Sequence, residues 1–213
     1  MKRILQRMFR KISRSIPKID WRVALITILS TLLIILAYSY SFTPYPYLER
    51  LAEYTILPLI VILFVFQENP MDYGLRLGDW KAGLIITAAA ILISAPILYW
   101  AVKVSSALQI FYAERFTSLF YFPILVELIG WEFICRGFIL FGYEKKFGAN
   151  TLWLQAVPFA LAHLGKPSLE TFSTLFGGFA FGWVAWRTRS VLYPFLIHSF
   201  VTIFTILVAS GKI

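Results

Sequence analysis

Five ionisable residues lie inside apolar stretches of the chain, where a charge is costly. Glu127, Glu132 and Arg136 fall within one stretch, while the two histidines of the sequence, His163 and His198, fall in two others. Charged side chains inside membrane segments face the protein interior or a water-filled cavity and suggest function. Carboxylates and imidazoles are the groups that transfer protons in hydrolysis. The pattern therefore predicts a site for acid–base chemistry among apolar helices.

Glu132 and Arg136 stand four residues apart, which places them on one face of a helix. In a low dielectric such a pair favours the ionised carboxylate. The same pair is also compatible with an ion pair that only fixes helix packing. The two histidines favour the functional interpretation.

The same residues are also compatible with a metal site, and Cys135 and Ser199 are candidates for a nucleophile. One glutamate and two histidines match the ligand count of a catalytic zinc site, so Glu132, His163 and His198 form an alternative set of ligands for a divalent metal such as zinc. The sequence has no His-Glu-x-x-His motif, and these ligands come from three separate segments. Cys135 is interpreted as a small buried thiol, and Ser199 lacks the Gly-x-Ser-x-Gly context of a nucleophile.

The composition places these residues in a membrane protein. Of the 213 residues, 59% are hydrophobic and 15% are charged, whereas soluble domains have about 45–50% apolar and 25% charged residues. The high apolar content excludes a disordered chain, and the single cysteine excludes a disulfide scaffold. We therefore predict an all-α, polytopic helix bundle that forms a single integral membrane domain over residues 1–213.

Seven apolar segments are predicted, some of them short for a full span of about 20 residues. They cover about residues 21–43, 51–67, 82–102, 116–141, 151–165, 170–187 and 190–209. The fifth is expected to stop part-way or to be covered by its neighbours. Residues 1–20 are predicted to form a basic amphipathic helix on the membrane interface, with a floppy basic tail as the alternative.

The net charge of +9 is unevenly distributed along the chain. With the N-terminus inside, the predicted cytoplasmic segments hold fourteen Lys and Arg residues and the opposite side holds five. This asymmetry predicts a cytoplasmic N-terminus, in a membrane that we expect to be a prokaryotic inner membrane. The expected partners are the lipid bilayer and a membrane protein or peptide substrate. Nucleic acid is not expected, because no basic surface interleaved with aromatic residues is present.

Counting about 1.5 Å per residue from the cytoplasmic ends, Glu132, His163 and His198 reach depths of roughly 12–18 Å. The three groups can therefore converge on one site. This estimate places the site closer to the cytoplasmic face and predicts substrates that enter from the cytoplasmic leaflet.

Three motifs in order resemble those of the CPBP family, the Abi-type group of CAAX proteases and bacteriocin-processing membrane proteins. Residues 131–137, Trp-Glu-Phe-Ile-Cys-Arg-Gly, resemble its first motif, Glu-Glu-x-x-x-Arg, and residues 159–163 match its second, Phe-x-x-x-His. The segment with Gly178 and Gly182, followed by residues 198–202, is similar to its third region, which ends in His-x-x-x-Asn. The resemblance covers about residues 116–205.

This resemblance implies a multi-helix intramembrane endopeptidase of the glutamic type, without a cofactor. A glutamate and His163 would activate water, and His198 with the residue at position 202 would stabilise the oxyanion. Glu132 and Arg136 match the second glutamate and the arginine of the first motif. The implied substrate is a membrane-associated or lipidated protein.

The sequence departs from the family pattern at two positions. Trp131 stands where the first glutamate is usual, and Thr202 stands where the asparagine is usual. Glu132 itself is one candidate for the base, and Glu127, one helical turn away, is another. The third explanation is a catalytically inactive relative that acts as a membrane scaffold, chaperone or immunity-type protein. A transporter that relays protons is a further class, although no internal repeat supports it.

Overall fold

The computed structural model describes residues 18–213. This part of the chain is all-α and contains no β-strand, which confirms the predicted fold class. The amphipathic helix predicted for residues 1–20 falls almost entirely outside the described residues.

Over residues 18–213, eight helices follow one another, and seven connections join them. Helix α1 is Trp21–Ser39, α2 covers residues 46–66, α3 is Trp80–Val104, α4 is Ser106–Ala113, α5 covers residues 121–147, α6 is Thr151–Leu161, α7 is Ser168–Thr188 and α8 is Leu192–Ala209. Helix α2 contains wide π-type turns at Ala52–Ile56 and Val61–Phe66, and α5 contains one at Phe133–Ile139. Apart from the short helix α4, each helix corresponds to one predicted apolar segment.

Capping residues and glycines define where several helices begin. The Asp20 carboxylate accepts hydrogen bonds from the backbone N–H groups of Arg22 and Val23 at the start of α1. Asp79 accepts one from the N–H of Ala82 at the start of α3. Just before it, Gly78 has a φ of +58°, and a Cβ there would lie 1.9 Å from the carbonyl oxygen of Thr188. Only glycine permits this close approach of the loop to the end of α7.

Helix α5 is the centre of the bundle. All seven residues of its wide turn, Phe133–Ile139, are buried. Helices α1, α2, α6 and α7 pack around this turn, and α8 packs against the first half of α5. The residues of the first predicted motif therefore lie in the most enclosed part of the fold.

Helices α6 and α7 pack closely because α7 carries small residues at the contact. A Cβ on Gly182 would lie 2.4 Å from Nε2 of Gln155, and one on Gly178 would lie 3.1 Å from the backbone of Ala156. Nε2 of Gln155 donates a hydrogen bond to the carbonyl oxygen of Gly178 at 2.7 Å. The glycine pair thus serves close helix packing, as the GxxxG spacing predicts, and its partner is α6.

The outer surface of the bundle is apolar. Leu92 on α3 is 75% exposed and Phe172 on α7 is 77% exposed, and many other large apolar side chains lie on the surface. Helices α1, α3 and α8 are each long and apolar enough to cross a membrane. Together with the sequence family described below, this surface identifies an integral membrane protein. That the other predicted apolar segments also cross the membrane stays a prediction.

Polar contacts join the connecting segments separately at the two ends of the bundle. At one end, which we call the basic end, Arg22 pairs with Glu68 at 2.6 Å, Arg189 with Glu144 at 2.6 Å, and Arg187 with Asp79 at 2.9 Å. At the opposite end, the Tyr112 hydroxyl donates to Glu170 at 2.7 Å. The Lys212 ammonium lies 5.0 Å from the ring centre of Phe116 at the same end. The helices therefore run alternately between two polar ends.

Candidate active site

A cavity of about 200 Å³ lies between α1, α4, α5, α8 and the turn that follows α6. Its walls combine apolar side chains with the following polar ones: Tyr38, Tyr112, Arg115, Glu127, His163, Lys166, His198 and Thr202. Four of the six site residues predicted from the sequence thus face one cavity, namely Glu127, His163, His198 and Thr202. The other two, Glu132 and Arg136, lie behind the cavity wall.

Glu132 links the cavity to the core of the bundle. Its Oε1 lies 2.7 Å from Nδ1 of His198 and accepts a hydrogen bond at 3.2 Å from Nη1 of Arg136. The side chains of Glu132 and Arg136 are 1% and 0% exposed. Glu132 therefore orients His198 from behind, and it does not line the cavity where a substrate would bind.

The guanidinium of Arg136 contacts two aromatic rings as well as the carboxylate of Glu132. Its guanidinium carbon lies 4.0 Å from the ring centre of Phe159 and 5.2 Å from that of Phe181. Within the described residues, its Nε and Nη2 and the Oε2 of Glu132 have no hydrogen-bond partner. The cation is thus stabilised by one ion pair and by two aromatic faces.

Glu127 lies on the cavity wall one helical turn before Trp131. The indole Nε1 of Trp131 donates a hydrogen bond to Oε1 of Glu127 at 3.3 Å, and its ring packs edge-on against Tyr54. Trp131, which replaces the usual first glutamate, therefore contacts and positions another carboxylate in the cavity.

His163 lies in the turn just after the end of α6 at Leu161. Its Nδ1 is 2.8 Å from the carbonyl oxygen of Phe159, which can only accept, so Nδ1 carries the proton and Nε2 is free to accept one. The hydroxyl of Thr171 donates to the carbonyl oxygen of His163 at 2.8 Å and fixes the turn. The imidazole is thereby set in the tautomer that a proton acceptor needs.

Glu170, which the sequence analysis does not select, is the carboxylate nearest to His163. Its Oε1 lies 4.0 Å from Nε2 of His163 and accepts hydrogen bonds from Tyr112 at 2.7 Å and from Lys166 at 2.9 Å. The sequence contains only a weak signal for Glu170. It is the single acidic residue of α7, in its first turn, four residues after Lys166.

Two other residues considered from the sequence do not face the cavity. The Cys135 thiol is fully buried in the wide turn of α5, as expected for a structural thiol. The Ser199 hydroxyl is buried and has no hydrogen-bond partner among the described residues. Neither side chain is part of the cavity wall.

The cavity extends towards the end of the bundle opposite the basic end. Its walls include Tyr112, Arg115 and Lys166, which belong to that opposite end. Helix α6 ends at Leu161, and His163 lies in the turn that follows it. The expected entry of substrates from the cytoplasmic leaflet stays a prediction.

The residues suggested as zinc ligands do not fit a metal centre. Over residues 18–213, no group of three or more His, Cys, Asp or Glu side chains is arranged to hold a metal ion. Glu132 contacts His198, whereas the nearest polar partners of His163 are the Phe159 carbonyl and Glu170. We derive no step through a metal at this site.

Comparison with known proteins finds one sequence family that is similar to this region. Residues 113–204 match the model of a family described as "Rce1-like: Type II CAAX prenyl endopeptidase Rce1-like". No curated protein and no solved structure compared with the chain gives a significant match. The matched residues contain α5, α6, α7 and most of α8, together with all six predicted site residues, and they nearly coincide with the segment that resembles the CPBP proteins. Residues 113–204 of the chain are thus similar to the Rce1-like family of type II CAAX prenyl endopeptidases, a CPBP family.

Proposed function

We propose that the protein is an intramembrane endopeptidase that hydrolyses a peptide bond in a membrane-associated or lipidated protein. The observation that carries this proposal is the cavity in which Glu127, His163, His198 and Thr202 meet. A carboxylate, an imidazole acceptor and two groups for the oxyanion are the components that such a hydrolysis needs. The family match over the same residues supports a peptidase.

In this mechanism Glu127 is the general base in place of the usual first glutamate. It lies on the cavity wall, whereas Glu132 is withdrawn behind it and already binds His198 and Arg136. Water in the cavity gives one proton to Glu127, assisted by Nε2 of His163, and its oxygen attacks the carbonyl carbon. The same proton then passes to the leaving amine as the carbon–nitrogen bond breaks.

His198 and Thr202 stabilise the oxyanion of the tetrahedral intermediate. Because Nδ1 of His198 donates to Glu132, its Nε2 can donate only when both ring nitrogens carry a proton. The proposal therefore uses His198 with a proton on both ring nitrogens, while Glu132 accepts from Nδ1 and from Nη1 of Arg136. The Thr202 hydroxyl supplies the second donor, in place of the usual asparagine.

Glu170 is assigned here as a positioning residue for His163. While the proton of water is shared between Glu127 and Nε2 of His163, the carboxylate 4.0 Å away faces the partial positive charge on the imidazole. Tyr112 and Lys166 hold the carboxylate in place by hydrogen bonds. The Phe159 carbonyl orients the imidazole through Nδ1, and Glu170 faces Nε2 at 4.0 Å without a hydrogen bond.

The type of membrane, the orientation of the chain and its partners belong to the same proposal. The charge asymmetry of the sequence supports a cytoplasmic N-terminus in a prokaryotic inner membrane. The lipid bilayer and a membrane protein or peptide substrate are the partners that it requires. The proposed mechanism uses no cofactor and no nucleic acid.

The test is to compare membrane proteomes of a host strain that lacks the protein and is complemented at matched levels. Glu127→Gln and His163→Ala should each lower the processing rate about 10²- to 10⁴-fold, the usual contribution of general acid–base catalysis. Uncut precursors should then accumulate as in the deletion strain. Glu114→Gln is the matched control, because Glu114 is exposed and outside the cavity wall. Wild-type processing by both cavity variants would contradict the proposal.

One observation favours a second candidate, a catalytically inactive membrane scaffold. Trp131 replaces the usual first glutamate, and an indole cannot accept a proton from water. If the deletion strain has a phenotype that both Glu127→Gln and His163→Ala rescue fully, the scaffold explains the protein better. Glu132→Gln should then alter stability without abolishing any processing event.

A further inference from the structure

We infer that Tyr38 of α1 is a positioning residue for His163. The residues that match the family are 113–204, whereas α1 is Trp21–Ser39, so the site in the cavity depends on a helix outside the matched region. The hold of Tyr38 on the turn of His163 follows from contacts within the chain. Its effect on a reaction rests, in addition, on the proposed peptidase function.

His163 lies in a turn whose backbone carbonyl groups no longer have helical partners. Helix α6 ends at Leu161, and the last carbonyl oxygens of a helix have no N–H partner within it. The Thr171 hydroxyl of α7 donates to the carbonyl oxygen of His163 at 2.8 Å. The Tyr38 hydroxyl of α1 donates to the carbonyl oxygen of the preceding residue, Ala162. Side chains of two other helices therefore hold the turn at two consecutive residues.

The end of α1 that carries Tyr38 is itself held by α2. Nη2 of Arg50 donates a hydrogen bond to the carbonyl oxygen of Ala37, the residue before Tyr38. Nη1 of Arg50 donates to Oε2 of Glu53 at 2.8 Å, and both of these side chains are largely buried. The backbone beside Tyr38 is therefore fixed by a contact other than the one to Ala162. Because of this attachment, the Tyr38 hydroxyl can serve as an anchor for the turn.

Tyr38 differs in its contacts from the nearby tyrosine Tyr40. Tyrosines near the ends of membrane helices commonly lie at the interface between lipid and water. Tyr40 fits that role, because it is 63% exposed and its ring stacks on that of Phe42. Tyr38 is also exposed, at 58%, but it lies in the cavity wall and its hydroxyl binds the carbonyl oxygen of Ala162. An interfacial role alone therefore does not explain the position of Tyr38.

The consequence concerns the imidazole of His163. Its Nδ1 donates to the carbonyl oxygen of Phe159 at 2.8 Å, which leaves Nε2 as the proton acceptor in the cavity. This hydrogen bond joins the turn to the last part of α6, so it depends on the shape of the turn. Tyr38 thus keeps the imidazole in one tautomer by acting through Ala162, and not by contact with the reacting atoms.

The experiment is nitrogen NMR of the histidine side chains in the full chain, prepared with isotope-labelled histidine and reconstituted in lipid. The sequence has only two histidines, so a His163→Gln sample assigns their signals. Tyr38→Phe removes the hydroxyl alone, and Tyr40→Phe is the matched control, because Tyr40 lies outside the cavity wall. Thr171→Val, which removes the other side-chain donor to the turn, is a second variant. Unfolding temperatures show that each variant is folded.

In the unsubstituted chain we expect a single tautomer of His163, with its proton on Nδ1. Tyr38→Phe and Thr171→Val should each give a mixture of the two tautomers, whereas Tyr40→Phe should keep the single one. In Tyr38→Phe, kcat of processing should fall about two- to tenfold, the value of one hydrogen bond, with KM unchanged.

A single tautomer or an unchanged kcat in Tyr38→Phe would overturn the inference. A change confined to KM would overturn it as well, because Tyr38 would then contact the substrate. The tautomer measurement needs no catalysis. If Tyr38→Phe mixes the tautomers but processing survives Glu127→Gln and His163→Ala, the peptidase proposal fails and the positioning of His163 stands.

Discussion

Glu68 and Glu132 each pair with two basic groups, but they lie at different heights in the bundle. The Glu68 side chain is partly exposed, whereas that of Glu132 is buried. Glu68, at the basic end, binds Arg22, Lys145 and the hydroxyl of Tyr73 beside water. Glu132, in the centre, binds His198 and Arg136 with almost no exposure and leaves its Oε2 without a partner in the described residues. The exposed cluster is well satisfied, and the buried cluster is not.

The difference shows what each cluster contributes. Ion pairs beside water stabilise a fold little, because solvent competes with them. A buried pair is no better as a source of stability, since desolvation offsets its attraction, but the loss of one partner is very costly. The Glu132 cluster is therefore best explained by the orientation it gives to His198 and not by a gain in stability.

The largest effect on stability is expected from Arg136→Met. The substitution leaves Glu132 buried beside His198 without its cation, which should cost about 3–5 kcal/mol of unfolding free energy. Thermal unfolding of the detergent-purified protein measures the loss. An unfolding temperature equal to that of the wild type would show that the buried pair is not coupled to the fold.

Combining Glu132→Gln with Arg136→Met should recover most of that stability, because neither charge is then left alone in the interior. Processing should stay low, because His198 loses the carboxylate that orients it. The pair of readouts, stability by unfolding and processing by precursor accumulation, separates orientation from folding. Recovery of both together would mean that Glu132 has only a structural role.

A smaller effect is expected from Glu170→Gln. It should lower kcat about ten- to a hundredfold, the value of one contact to a charged group, with little change in KM or unfolding temperature. Glu170→Asp, which keeps the charge, should restore part of the rate. A change confined to KM would indicate that Glu170 contacts the substrate instead of positioning His163.

The smallest effect is expected at the basic end, from Glu68→Gln. Burial alone would raise the pKa of Glu68, but hydrogen bonds from Lys145, Tyr73 and Arg22 outweigh it and lower that pKa. A carboxyl whose pKa is lower in the folded state stabilises the fold above its unfolded value of about 4.3, and this stability is lost as the pH falls through the folded value.

Near neutral pH, Glu68→Gln should therefore cost only about 0–1 kcal/mol. Unfolding curves of the variant and the wild type should converge as the pH is lowered below about 4. A cost at pH 7 as large as that of Arg136→Met would remove the contrast between the two clusters.

Local patterns in the sequence predict several features of the fold and of the candidate site. Apolar runs predict the helices, and four-residue spacing predicts the contact of Glu132 with Arg136. The similar depths counted along the helices predict that Glu132 and His198 converge, and the structure places Oε1 of Glu132 2.7 Å from Nδ1 of His198. Local patterns do not contain the long-range packing, so the contact of Glu170 with His163 was missed.

The wide turn at Phe133–Ile139 separates the two functional halves of α5. A π turn holds more residues than an α turn, so it changes the rotational phase of everything that follows it. Removing one residue there would rotate the rest of the helix by about 100° relative to Glu127 and Glu132. The ion pair between Glu144 and Arg189 would then break, although the cavity residues of α5 would keep their positions. The turn sets the phase between the cavity and the basic end, so we expect insertions or deletions to be poorly tolerated within it.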